Sequence, residues 1–188
     1  MRIRRYIESD KERLRYICKI TAGPDFQKSE KRLEAAAIIY NDYFTENEAD
    51  NIFVLADDND EAVGYILSST DYDKYRRLNK SIYLKKSAKC GFFAVLCITG
   101  SLYALSKIKD RPAHLHIDIL PQYQHKGWGR VLIDAECENL KGKNIEYLSV
   151  NNISRKSPAY PFYISYGFRE YRHLVGNNYS LSIRLRKV

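Results

Sequence analysis

The sequence predicts one α/β domain built on a single mixed sheet, and three observations predict it. The chain has 188 residues, the size of one domain. Its apolar residues switch between strand and helix periods in the order β-α-α-β-β-(helical insertion)-β-α-β-α-β-β, with no internal repeat. The segment from Ile117 to Arg130 reads as strand, proline stop, glycine loop and helix in succession.

Each element follows from local pattern. Arg2 to Ile7 reads as a short strand. Ser9 and Glu12 form a capping-box pattern ahead of Leu14, Ile17, Cys18 and Thr21, whose spacing is helical. Gly23-Pro24 ends that helix. A second helix starts near Ser29 and carries Leu33, Ala36, Ala37 and Tyr40 on one face. Asn51 to Ala56 and Glu61 to Ser68 are strands joined by the turn Asp57-Asp58-Asn59-Asp60, a hairpin. Residues 71–112 form a Tyr- and Lys-rich helical insertion. Ala113 to Leu120 is a strand stopped by Pro121, and a helix follows from Trp128 through Val131, Leu132 and Ala135 to Lys141-Gly142. Glu146 to Val150 is another strand. Ser157 to Tyr166 is a short helix closed by Gly167, and Pro158 and Pro161 leave its start open. Phe168 to Leu174 and Tyr179 to Leu185 finish the sheet.

Composition excludes several classes. At 45% hydrophobic and 29% charged, with 16 Tyr and 7 Phe, the chain is too apolar to be disordered. The four cysteines (Cys18, Cys90, Cys97, Cys137) include no C-x-x-C pair and no closely spaced histidine, so neither a zinc site nor a disulfide framework is expected. Free thiols and the lack of a signal-peptide core point to a cytoplasmic protein. The net charge of +8 favours acidic partners. No dense basic helix or aromatic-basic RNA signature accompanies it, so nucleic acid is not an expected partner. Gly91 to Ser106 is a run of 16 uncharged residues flanked by lysines. It is too short to span a bilayer. The flanking lysines would allow an interfacial helix, but stretches this short are usually core, so it reads as a buried core helix with no membrane expected as partner.

The loop Gln124-His125-Lys126-Gly127-Trp128-Gly129-Arg130 carries the chemistry. Gly127 and Gly129 allow a tight turn and bring amides close to an anion. Those amides lie at a helix N-terminus, where unsatisfied donors and the helix dipole favour phosphate. His125, Lys126 and Arg130 add side-chain donors. The pattern is a pyrophosphate cradle, and it fits neither a P-loop nor the dinucleotide fingerprint.

This run resembles motif A, [QR]-x-x-G-x-[GA], of the GCN5-related N-acetyltransferase (GNAT) superfamily. Phe162-Tyr163-Ile164-Ser165-Tyr166-Gly167-Phe168 is similar to that family's F-Y-x-x-x-G-F block. The resemblance covers residues 113–185 well and the N-terminal part more loosely. It implies a mostly antiparallel central sheet flanked by helices, with residues 71–112 as an insertion, in a single domain spanning residues 1–188. It also implies an N-acetyltransferase that moves the acetyl group of acetyl-CoA directly to a primary amine, a small molecule or peptide, without a metal. Cofactor contacts would come from Ile117, Asp118 and Ile119 in the strand and from His125, Lys126, Gly127, Trp128, Gly129 and Arg130 in the loop. The amide near Ile119 would polarise the thioester carbonyl, and Tyr163 would protonate the departing thiolate.

The base stays open. His114, His116 and Asp118 alternate and so share one strand face, where Asp118, His116 or a water could take the proton. The same parity allows His116 and Asp118 to form a polar pair toward the helices. The family's cofactor asparagine falls at Lys156, with Asn151 and Asn152 nearer the strand end. Tyr72, Tyr75, Tyr83 and Tyr103 wall an acceptor pocket or cover the sheet, while Tyr123 and Tyr160 pack or form the rim. The resemblance allows a homodimer through the C-terminal strands. The alternative is a catalytically silent acetyl-CoA-binding or protein-interaction domain.

Overall fold

A computed structural model describes residues 1–185. The elements run β1 (Arg2–Arg5), α1 (Lys11–Thr21), α2 (Glu30–Ala37), α3 (Tyr43–Asn47), β2 (Ile52–Ala56), β3 (Ala62–Ser69), α4 (Tyr72–Leu78), α5 (Leu84–Ala88) and α6 (Phe92–Ser106). They continue with β4 (His114–Ile119), α7 (Trp128–Gly142), β5 (Tyr147–Ser154), α8 (Ala159–Tyr166), β6 (Arg169–His173) and β7 (Asn178–Arg184). The strands make one seven-stranded sheet in the order β1-β2-β3-β4-β5-β7-β6. Every neighbouring pair is antiparallel except β4 and β5. A mixed sheet flanked by helices is therefore the architecture the sequence pattern predicts.

Alternate residues of β3 show the two helical layers. The Tyr65 hydroxyl reaches Asp118 on the α1 side, and Ser68 Oγ donates to the buried Glu136 of α7 on the other. The insertion is helical as expected, with one π-helical turn at Asn79–Tyr83 between α4 and α5. A second π-helical turn, Ile38–Asp42, joins α2 to α3.

Four expectations differ in detail. Ser9 caps nothing, because the chain first makes a 3-10 turn at Glu8–Asp10. Asp10 does the capping instead, accepting from the Ile7 amide at 3.0 Å while the Arg4 guanidinium grips it at 2.7 and 2.8 Å. The strand expected to end at Val150 continues to Ser154 through a bulge between Val150 and Ile153, where Asn152 takes φ 61°. The last helix starts at Ala159, two residues late, because both prolines fit only before or within its first turn.

The fourth difference is the largest. In α6 the side chains of Ala94, Ile98, Ala104 and Leu105 are buried, but Phe92 is 76%, Leu96 53% and Tyr103 47% exposed. An all-apolar run does not reveal which face the fold leaves uncovered.

Candidate active site

The site begins where the sheet opens. β4 and β5 pair at one position among the described residues, His114 opposite Ser149, with Ser149 N donating to Ala113 O at 2.9 Å. Beyond that point the strands part. On the far side of β4, Leu120 N donates to Val63 O at 2.9 Å, and the register sets Asp118 against Tyr65 and His116 against Leu67. Main-chain groups on a strand alternate in direction. His116, Asp118 and Leu120 therefore turn theirs to β3, and Ile117 and Ile119 turn theirs into the gap.

This sorts the expected strand contacts. Ile117 and Ile119 offer amides and carbonyls to an extended ligand lying in the gap, and Ile119 O already accepts from Gln124 Nε2 at 2.7 Å. Asp118 does not belong with them, because its main chain is committed to β3.

The loop after β4 forms as the glycines predict, with two different reasons for the two glycines. His125 has φ 59° and Gly127 φ 87°, left-handed conformations that aim successive amides the same way. Among the described residues nothing accepts from the amides of residues 125–129. Gly129 has another reason to be glycine: a Cβ there would lie 3.0 Å from Phe162 Cζ, so it sets how closely α7 and α8 pack. Arg130 differs from its neighbours. Its amide closes the first turn onto Gly127 O at 3.0 Å, and its guanidinium spans to Ser165 O and Oγ of α8 at 3.0 and 3.1 Å. His125, Lys126 and Arg130 remain exposed around the free amides.

A cavity of about 310 Å³ lies at the gap, lined among others by Tyr40, Tyr75, His116, Asn151, Asn152 and Tyr163. The bulge in β5 brings Asn151 and Asn152 there, whereas Lys156 sits in the following turn. Tyr75 is the tyrosine of the insertion that reaches this cavity; Tyr83 bonds to Glu46 and Asn47, and Tyr103 faces out.

His116 enters from the α1 side. Its ring stacks on Tyr40 at 5.2 Å and an interplanar angle of 19°. Its Nε2 lies 2.9 Å from Asp118 Oδ2, and the Tyr65 hydroxyl donates to the same oxygen at 2.5 Å. A carboxylate oxygen accepts, so Nε2 carries a proton, and in the neutral ring Nδ1 is then the nitrogen with the lone pair. Both readings of the strand parity hold together, since His116 pairs with Asp118 and also lines the cavity. His114 differs: burial pushes its pKa down, and its Nδ1 is 2.9 Å from Pro112 O. It stays neutral within an aromatic cluster with Phe44 and Tyr75.

Cys18 Sγ joins His116 and Asp118 in the one group of metal-ligand atom types found among the described residues, all within 4.8 Å of one another. Burial, and then the nearby Asp118 charge, push the Cys18 thiol well up. Within this group His116 Nε2 and Asp118 Oδ2 are 2.9 Å apart, while the Cys18 thiol lies 3.7 Å from Ala36 O.

Tyr163 approaches from α8, on the side of α7. Burial, reinforced by the Asp118 charge, raises its pKa well above that of a free phenol, so its hydroxyl stays protonated. Sequence reasoning missed Tyr65, Tyr40 and Cys18 as members of this site. They come from three other elements, and no motif marks them.

Comparison with known proteins agrees with this geometry. Residues 48–170 match the family model described as Acetyltransferase (GNAT) domain. Curated protein sequences give no match. Among solved structures, SsHAT is similar over 98% of both chains at 24% identity and TM-score 0.85. The PaiA N-acetyltransferase of Thermoplasma acidophilum, solved with coenzyme A, is similar over 97% of this chain and 98% of that one, at 16% identity and TM-score 0.61. YncA of Salmonella typhimurium, described as a possible acetyltransferase and solved with acetyl-CoA, aligns over 100% of this chain and 95% of its own at 13% identity and TM-score 0.60. With the family model spanning more than half of its length, this chain belongs to the GNAT family of acetyltransferases.

Proposed function

We propose that this protein transfers the acetyl group of acetyl-CoA directly to a primary amine, with His116 as base and Tyr163 as acid. The observation that carries the reading is the gap between β4 and β5. It has main-chain donors on one wall, free loop amides at its end, and His116 and Tyr163 lining one cavity from opposite layers. Two relatives of the same fold are described with coenzyme A or acetyl-CoA, which is the ligand such a gap suits.

The residues fit that ligand. A pyrophosphate needs several convergent N–H donors, and the amides of residues 125–129 are without acceptors. A pantetheine arm carries amides of its own, which Ile117 and Ile119 can pair as a further strand would. When bound, the cofactor supplies an acetyl group activated as a thioester. The chain supplies the rest. The Ile119 amide donates toward the carbonyl oxygen, where negative charge develops. An amine reaches the cavity as an ammonium and gives one proton to His116 Nδ1, while Asp118 stabilises the imidazolium that forms. The free amine then bonds to the carbonyl carbon and the C–S bond breaks. The second proton that nitrogen loses replaces the one Tyr163 gives to sulfur. Tyr163 holds its proton against any working pH and donates it as charge collects on sulfur. An ordinary thiol has a pKa near 8.5 and an ordinary phenol near 10. Burial makes Tyr163 a weaker acid still, so its first contribution is a hydrogen bond.

Thiol release from acetyl-CoA across a panel of primary amines tests this. An amine-dependent rate should fall about a hundredfold or more in His116→Gln, with acetyl-CoA still bound, and it should also fall in Tyr163→Phe. A wild-type protein that binds acetyl-CoA but consumes no amine is the silent domain. Unchanged rates in His116→Gln remove the base assignment.

A further inference from the structure

Ser101, Ala104 and Leu105 of α6 line the cavity at the β4–β5 gap, and the outward face of the helix lies outside it. Phe92, Leu96, Thr99, Gly100 and Tyr103 fall at offsets of three, four or more along that helix and are all exposed. The run from Gly91 to Ser106 contains no charged residue. Its hydroxyls turn inward: Thr99 Oγ1 donates to Val95 O at 2.8 Å and Leu96 O at 3.0 Å, and Ser106 Oγ to Tyr103 O at 2.6 Å. The stripe therefore offers rings and methyls, with the exposed Tyr103 hydroxyl as its polar tip. Exposed lysines stand at both ends, Lys85 and Lys89 before it and Lys107 and Lys109 after it. Lys107 Nζ lies 4.8 Å above the Tyr103 ring.

We propose that α6 seats this protein on an anionic phospholipid surface, with the stripe lying in the interface and the lysines on the headgroups. An apolar face with aromatic members and cations at its margins is the pattern of an interfacial helix. The helix does not cross the bilayer; among the described residues none is long and apolar enough. The charges decide against a second copy as occupant. Both ends of the stripe are basic, so pairing α6 with itself in either direction sets lysine against lysine. An anionic surface neutralises both ends at once. The sequence alone favours a buried core helix for this run and leaves an interfacial helix, allowed by the flanking lysines, as its second reading.

The experiment is co-sedimentation of the full chain with vesicles of phosphatidylcholine alone and of phosphatidylcholine with about 30% phosphatidylserine, at low and high salt. Binding to the anionic vesicles should exceed binding to the neutral ones by about tenfold or more and weaken with salt. Leu96→Asp should lower it by about tenfold or more, with acetyl-CoA binding unchanged as evidence of folding. The double reversal Lys89→Glu with Lys107→Glu, which leaves the stripe intact, should do the same. No sedimentation at low salt, equal binding of the variants, or a dimer in light scattering that Leu96→Asp dissolves would each overturn the proposal, the last by showing that a second copy covers the stripe.

Discussion

Asp118 Oδ2 accepts two hydrogen bonds, one from Tyr65 at 2.5 Å and one from the ring N–H of His116 at 2.9 Å. One carboxylate oxygen thus fixes a tautomer, and Tyr40, stacked on the other side, fixes the ring plane. Of the two strand residues that the sequence offered as bases, the proposed reaction makes Asp118 the one that orients and His116 the one that takes the proton.

This relationship predicts graded losses. Asp118→Asn keeps the shape but removes the charge that stabilises an imidazolium, and kcat should fall about ten- to a hundredfold. Tyr65→Phe leaves the carboxylate with one donor fewer and should cost less. Neither should change acetyl-CoA affinity, because neither side chain faces the gap. Steady-state kinetics on an accepted amine, paired with an acetyl-CoA titration, separates the two effects. A large change in affinity with kcat intact would contradict the assignment.

Gly129 predicts a packing effect. Alanine there pushes its methyl against Phe162 Cζ at 3.0 Å, so Gly129→Ala should destabilise the fold by about 1–2 kcal/mol. Trimming the ring with Phe162→Leu should restore part of the loss. Gly127→Ala meets no neighbour within 4 Å and carries only the strain of its positive φ, about 1–2 kcal/mol. Urea denaturation of these variants separates crowding from strain, because only the Gly129 variant should respond to the Phe162 change.

Glu136 predicts how stability depends on pH. It is fully buried in α7, and desolvation pushes its pKa up from 4.5 to about 7, against hydrogen bonds from Ser68 and Asn139. The folded state therefore holds this proton more tightly than the unfolded chain does. Its contribution is fully present below pH 4.5 and is lost as pH rises through about 7. The loss amounts to about 3 kcal/mol at most. Glu136→Gln should flatten the fall in stability between pH 5 and 8 and exceed the wild type at pH 8. Denaturant titrations at both pH values measure this; a wild type equally stable at both would contradict it.

What was legible in the sequence was local. Gly127 and the proline stop at Pro121 specify a strand-loop-helix unit because backbone conformation is a property of a few adjacent residues. Tyr163 could be singled out because it falls in the run that resembles the family's F-Y-x-x-x-G-F block, and Gly167 closes its helix as expected. The parity of His116 and Asp118 was visible, but their partner was not. Tyr65 meets Asp118 only through the β3–β4 register, across the insertion at residues 71–112. The bulge that turns Asn151 and Asn152 into the cavity is set by pairing with β7. The uncovered face of α6 depends on which neighbours the fold supplies. Motif A suggested a phosphate role for Gly129, whose amide indeed has no acceptor among the described residues. The added packing role was not legible, because the ring that its missing Cβ admits comes from α8.

The most direct test of the central claim is a calorimetric titration of acetyl-CoA into the wild type and Gly127→Glu. The glutamate sits at an exposed loop position with open space around it, so the fold should survive, as a melting curve would verify. Its carboxylate would stand among the free amides where the pyrophosphate belongs. Micromolar binding by the wild type, weakened at least about tenfold (about 1.4 kcal/mol) by Gly127→Glu, is the expected result. A folded wild type that does not bind acetyl-CoA, or a Gly127→Glu variant that binds it equally well, would contradict the cradle and the transfer reaction built on it.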